Sequence, residues 1–109
     1  MGKFVITTQR NGNFYFVLKA GNGRDILSSE GYSSKTGCMN GIESVKRNSQ
    51  DKKQYQQGAS YDDKLFFVLK ASNGQEIGRS EMYETKATLE NGIMSVMKNA
   101  EHAEILDLS

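Results

Sequence analysis

Three features of the chain predict an α+β fold built of two tandem β-β-β-α-β repeats. These repeats are expected to form one antiparallel sheet with two helices on one face and pseudo-two-fold symmetry. The first feature is period-2 alternation in short β-branched and aromatic stretches; the second is a change to period 3.6 after them. The third is recurrence, since displacing the chain by 51 positions lays it on itself without a gap. Phe16-Val17-Leu18-Lys19-Ala20 falls on Phe67-Val68-Leu69-Lys70-Ala71, Asn22-Gly23 on Asn73-Gly74 and Ile26 on Ile77. Ser29-Glu30, Tyr32 and Lys35 fall on Ser80-Glu81, Tyr83 and Lys86. Asn40-Gly41-Ile42, Ser44-Val45 and Asn48 fall on Asn91-Gly92-Ile93, Ser95-Val96 and Asn99. More than half of positions 15–48 are identical between the copies, which identifies a duplication; two copies are too few for a solenoid.

The elements follow in order. Residues 3–8 (KFVITT) alternate and read as a strand. Asn11-Gly12 is a hairpin turn, because both residues tolerate positive φ. Residues 13–20 and 24–29 give the second and third strands around Gly21-Asn22-Gly23. From Ser34 to Asn48 the apolar period becomes helical: Cys38, Gly41, Ile42, Val45 and Ser49 share one face, as do Leu89, Gly92, Ile93, Val96 and Ala100. Ser34 and Thr85 are the expected N-caps, and Asn48 and Asn99 the expected left-handed C-terminal residues. An extended stretch follows each helix, Gln54–Gln57 and Ile105–Leu108.

A unit of about 50 residues with three strands and one helix buries only about 60% of its unfolded surface, which is marginal without a disulfide or metal. Two such units sharing a sheet cover each other's edges. The expectation is a single domain, 1–109, of two repeats at about 1–51 and 52–109, with Tyr55 and Tyr61 docking the connection between them.

Composition narrows the classes. The chain has 109 residues, 37% hydrophobic and 25% charged, with a net charge of +1; its mean hydropathy is −0.61. No apolar run is long enough to cross a membrane. Residues 1–8 lack the apolar core and cleavage site of a secretory leader. One cysteine cannot form an internal disulfide, and no metal-ligand set is present, so a reduced, cytoplasmic protein without cofactor is expected. Bases prevail in residues 1–50 and acids in 64–109, a polarity read as two differently solvated surfaces.

The doubled blocks FxLKAxNGxxI, SExY and NGIxSV, with the closing Asp107-Leu108-Ser109, resemble the YegP-like family of small bacterial proteins. The resemblance covers nearly the whole chain. It implies tandem β-β-β-α-β units assembled into a single sheet with terminal strands exchanged between halves. It implies no activity, and no catalytic or binding residue carries over.

Among candidate sites, Cys38 aligns with Leu89 on the core face and reads as a small hydrophobe. His102 stands beside Glu101 without further ligands and reads as solvated. Ser29, Glu30 and Tyr32, with Ser80, Glu81 and Tyr83, crowd the two strand-to-helix junctions. They read as structural joints: the carboxylates at the positive helix end, the tyrosines packed on the first turn. Gly41 and Gly92 predict a close approach of the helix to the sheet or to its sister helix, and their neighbours Asn40 and Asn91 a bond to a connecting loop. The glycine-rich turns lie between strands, where they do not cradle a phosphate.

Alternation sends Phe14, Phe16, Leu18 and Ala20, like Leu65, Phe67, Leu69 and Ala71, toward the helices. Tyr15, Val17, Lys19, Phe66, Val68 and Lys70 then line the helix-free face as the candidate interaction surface. The resulting expectation is a non-enzymatic, monomeric interaction module with a protein partner. The alternative is weak binding of single-stranded nucleic acid or another anion on that face, by stacking beside lysines. An enzyme at the strand–helix junctions comes third, and no catalytic, cofactor or metal residue is assigned.

Overall fold

The structure is a computed structural model and describes residues 2–109. The first repeat supplies β1 (Lys3–Thr8), β2 (Phe14–Lys19), β3 (Asp25–Ser28) and α1 (Lys35–Asn48). A 3-10 turn leads into β4 (Tyr55–Ala59), followed by β5 (Leu65–Lys70), β6 (Glu76–Arg79), α2 (Lys86–Ala100) and β7 (Glu104–Asp107). All strands join one seven-stranded sheet in the order β4-β5-β6-β3-β2-β1-β7. Gly12, Gly23 and Gly74 take positive φ in the tight turns, and Asp63 does so at the place equivalent to Gly12.

Strand alternation places Phe4, Ile6, Phe16, Leu18, Phe67 and Leu69 on one face, all fully buried. Against them pack Cys38, Ile42 and Val45 of α1 and Leu89, Ile93 and Val96 of α2. Burial of each such side chain contributes roughly 1.5–3 kcal/mol. Ser34 Oγ accepts from Gly37 N–H at 3.0 Å, and Thr85 and Thr88 form a reciprocal capping box, so both expected caps are present. Each helix lies over strands of both repeats: α1 touches β2, β5 and β6, and α2 touches β5, β2 and β3. The two half-sheets themselves meet at a single backbone pair, Ser28 with Arg79, which are repeat equivalents, so the pseudo-two-fold passes there. Beside it Leu27 fills the space over Gly78, where an added Cβ would come 2.6 Å from Leu27 Cδ2. Two equivalent leucines would collide at the axis, and the second copy has glycine instead.

The repeated blocks interlock. Tyr32 stacks on Phe16 and Tyr83 on Phe67, with ring centroids 6.1 and 6.2 Å apart. A Cβ at Gly41 would lie 2.7 Å from Tyr32 Cζ, and one at Gly92 2.6 Å from Tyr83 Cζ. The mid-helix glycine is therefore the seat of the tyrosine of its own repeat, and not, as expected, a point of approach to the sheet or the sister helix. Ser29 Oγ accepts from Phe16 N–H at 2.9 Å and donates to the Glu30 carbonyl at 2.8 Å. Ser80 does the same with Phe67 N–H and the Glu81 carbonyl, at 2.9 and 2.7 Å. Each serine thus supplies the acceptor that a bulging strand withholds from its neighbour.

Several expectations need correction. The sheet is mixed, not wholly antiparallel, because β7 runs parallel to β1. It has seven strands, since β4 both follows α1 and opens the second repeat, pairing antiparallel with β5 as β1 does with β2. The strand after each helix joins the other repeat's half of the sheet, the exchange that the family resemblance implied. As the chain counterpart of β4, β7 would occupy the place of β1; β1 already fills it, so β7 lies alongside in the same direction. Tyr55 docks on Phe67 and donates to the Ser49 carbonyl at 2.8 Å, but Tyr61 projects wholly into solvent from the turn between β4 and β5. Asn48 and Asn99 are helical, not left-handed; their carboxamides donate back to the Ser44 and Ser95 carbonyls, both at 2.8 Å. Glu30 and Glu81 do not cap the helices, because Ser34 and Thr85 already do.

Gly92→Ala should lower unfolding stability by about 1–3 kcal/mol through overpacking against Tyr83. Intrinsic helix propensity alone predicts a gain of about 1 kcal/mol, so a denaturant melt separates the two by sign. Ser80→Ala strands the Phe67 N–H in a buried site and should cost about 1–3 kcal/mol in the same measurement. Lys35 Nζ holds Asp107 at 2.8 Å, and with Ser109 it draws that carboxyl down to about 2, tying β7 to α1. Because the folded value is depressed, this contribution to stability is complete above the ordinary carboxylate value near ~4 and is lost as pH falls through about 2. Lys35→Met should move the Asp107 carboxyl titration, followed by NMR, back toward ~4.

Candidate functional site: paired grooves between the repeats

The six residues assigned to the helix-free face do lie on it, in two groups. Tyr15, Val17 and Lys19 belong to β2 and Phe66, Val68 and Lys70 to β5, with β3 and β6 between them, a separation of about 14 Å at ordinary strand spacing. Ser28 and Arg79 occupy the row joining Val17 to Val68. The polar groups there are largely engaged. Lys19 Nζ meets Asp25 at 2.5 Å, and Arg79 binds Glu76 at 3.2 Å while lying 5.0 Å over the Phe66 ring. Phe66 covers Gly58 of β4, and Tyr15 Oη accepts from Asn11 at 3.1 Å. The face is a set of braced side chains, not a row of free aromatic planes.

At the junctions, both serine hydroxyls are committed to backbone. Glu81 binds Arg24 of the other repeat at 2.5 Å, whereas Glu30 lies exposed. Cys38 is buried on the core face, and burial pushes its thiol up. His102 is exposed beside Glu101 at 3.3 Å. No group of three or more His, Cys, Asp or Glu side chains is placed to hold a metal ion among the described residues.

The concave features lie elsewhere. Because each helix crosses the seam, its outer shoulder faces the β2–β3 type turn of the other repeat, and two related grooves result. One has Tyr32, Asn40, Gly41 and Ser44 from the first repeat on one wall, and Ala71, Asn73, Gln75 and Ile77 from the second on the other. The other has Tyr83, Asn91, Gly92 and Ser95 facing Ala20, Asn22, Arg24 and Ile26. Position by position these are the same groove, and seven of the eight paired positions carry identical residues; only Gln75 and Arg24 differ. Their volumes are about 530 and 290 Å³ respectively.

The local reasons differ by residue. Asn22 and Asn73 close their turns by accepting from Arg24 N–H and Gln75 N–H, both at 3.0 Å, which leaves their amide N–H groups for the groove. Burial raises both Tyr32 and Tyr83 phenols, so they stay neutral donors. Asn40 and Asn91 sit exposed on mid-helix, a poor helical residue type, and among the described residues no loop group bonds to them, contrary to expectation. The exposed helix positions around them have diverged, Glu43 facing Met94 in the alignment, yet the asparagine is kept in both copies. The sequence signal was the repeated Asn-Gly pair itself; its spatial partner, the turn of the opposite repeat, lies outside any local pattern.

The chain matches the family described as "Domain of unknown function (DUF1508)" over residues 10–56 and again over 60–107. It is 46% identical over 107 residues to the UPF0339 protein in the ptx operon 5' region of Stutzerimonas stutzeri, covering 98% of this chain and 96% of that one. It is 43% identical over 106 residues to the UPF0339 protein YegP of Escherichia coli, covering 97% and 96%. The solution NMR structure of a UPF0339 protein from Shewanella oneidensis is similar at TM-score 0.93 and 48% identity, covering 98% of this chain and 91% of that one. That of E. coli YegP is similar at TM-score 0.93 and 43% identity, covering 98% and 92%. With two matched copies and relatives alike over their full length, the chain belongs to the DUF1508 (UPF0339/YegP) family of bacterial proteins, whose function is unassigned.

Proposed function

We propose that this chain is a non-enzymatic interaction module whose working surfaces are the two grooves between its repeats. The observation that carries this reading is the convergence of residues kept in both copies: tyrosine, asparagine, glycine and serine from one repeat, and an Asn-Gly turn from the other. The linings hold hydrogen-bond donors and acceptors over an apolar floor of alanine and isoleucine. They contain no carboxylate, histidine, thiol or lysine to move a proton or attack a bond, so the arrangement suits binding and not turnover. Concave sites of a few hundred Å³ with a small number of placed polar groups are typical of ligand recognition.

A second reading places weak single-stranded nucleic-acid binding on the sheet face, through Tyr15, Phe66, Lys19 and Lys70. The aromatics are half exposed there, which favours it. The Lys19–Asp25 pair and the net charge of +1 leave little positive field for a phosphate backbone.

Amide spectra of the labelled chain, titrated with mixtures of small hydrogen-bonding compounds, separate these readings. Perturbations are expected at Asn40, Ser44 and Asn73 and at their counterparts Asn91, Ser95 and Asn22. Asn40→Ala with Asn91→Ala should abolish them with melting temperature unchanged or slightly raised, since alanine is the better exposed helix former. Responses confined to Tyr15, Val17, Phe66 and Val68, or none at all, would overturn the groove reading.

A further inference from the structure

The two grooves share a framework but not a charge environment. Arg47, on the outer side of α1, lines the groove of Tyr32, and among the described residues no carboxylate lies within ion-pairing distance of it. Glu43, one turn earlier on α1, does not reach it, and the opposite wall carries the neutral Gln75 where the other groove has Arg24. In the groove of Tyr83 the counterpart of Arg47, Lys98, is not among the lining residues; the guanidinium there is Arg24, from the opposite wall, and it is already occupied. Its Nη2 and Nε both donate to Glu81 Oε1, at 2.5 and 3.1 Å, linking residues of the two repeats. That groove also has about half the volume, 290 against 530 Å³.

Resting on the reading of the grooves as binding sites, we propose that the groove of Tyr32 and Arg47 receives an anionic group, a carboxylate or a phosphate monoester. Its twin is held back from the same role by the Arg24–Glu81 bridge. A guanidinium offers several donors in one plane, a geometry that matches the oxygens of either anion. The Tyr32 phenol, the Asn40 carboxamide and the free amide N–H of Asn73 supply neutral donors around it, in a groove wide enough for a small metabolite or a peptide end. The duplication thus gives one open site and one latched site from the same framework.

The test uses the full labelled chain at constant ionic strength, with inorganic phosphate, acetate and the neutral N-acetylglycinamide as separate probes. Saturable shifts are expected at Asn40, Ser44, Arg47 and Asn73 with phosphate, acetate or both, the pattern telling the two anion types apart. Arg47→Gln should weaken them about tenfold or more, the loss of one charge-assisted contact, while the rest of the spectrum stays in place. Glu81→Gln should release Arg24 and bring Asn91 and Ser95 into the anion response. If the neutral amide binds this groove as tightly as the anions and Arg47→Gln changes nothing, the anion assignment falls while the groove reading stands. If no probe moves these resonances, both fall. Equal anion responses in the two grooves of the unaltered chain would overturn the latch.

Discussion

The two halves of the sheet meet through one backbone pair, Ser28 with Arg79, and a seam so thin cannot by itself hold them together. Cohesion comes from α1 and α2, each of which lies across the seam and buries its apolar stripe on strands of both repeats. Phe16 and Leu18 on one side and Phe67 and Leu69 on the other thereby enter a single core. The hydrophobic effect is non-directional, so what makes this arrangement specific is local fit: Leu27 over Gly78 on the axis, and tyrosine rings seated at Gly41 and Gly92.

That crossing is also what makes the grooves. A helix confined to its own repeat would place Asn40 and Ser44 over solvent; a helix that spans the seam sets them against the turn at Asn73. The site is therefore a property of the pair of repeats, and each groove exists only because the other repeat completes it. Nearly half of positions 15–48 differ between the copies, and three departures from the symmetry have a plain physical cause or effect. Steric exclusion sets glycine at 78, the occupied place of β1 sends β7 to the sheet edge, and Arg24 of one groove is paired with Glu81 where the other groove has the neutral Gln75.

At the strand–helix junctions, where serine, glutamate and tyrosine gather twice, the serines and tyrosines are engaged in holding the fold. Ser29 and Ser80 serve backbone groups that a bulge would leave unpaired, and such groups are costly to strand in a core. The rings of Tyr32 and Tyr83 stack on Phe16 and Phe67, and both residues also line the grooves. On the opposite side of the sheet, Lys19 and Arg79 are paired within the chain, and the two aromatic groups stand on β2 and β5 with β3 and β6 between them.

By itself, the sequence determined the local elements and their inward faces. Period-2 alternation assigned Phe16, Leu18, Phe67 and Leu69 to the core; period 3.6 assigned Cys38, Ile42, Val45 and their counterparts to the helix stripe. Ser34 and Thr85 were legible as caps because capping is decided within four residues. The duplication made the shared sheet and its symmetry legible as well. Only the tertiary structure decided that β7 runs parallel to β1, that Tyr61 projects while Tyr55 docks, that Glu81 binds Arg24, and that Asn40 faces Asn73 across a groove. Periodicity reports which side of an element is apolar, because that depends on neighbours in the chain. It is silent about which element lies opposite, because that is settled by how two stripes and one sheet pack at the least loss of buried surface.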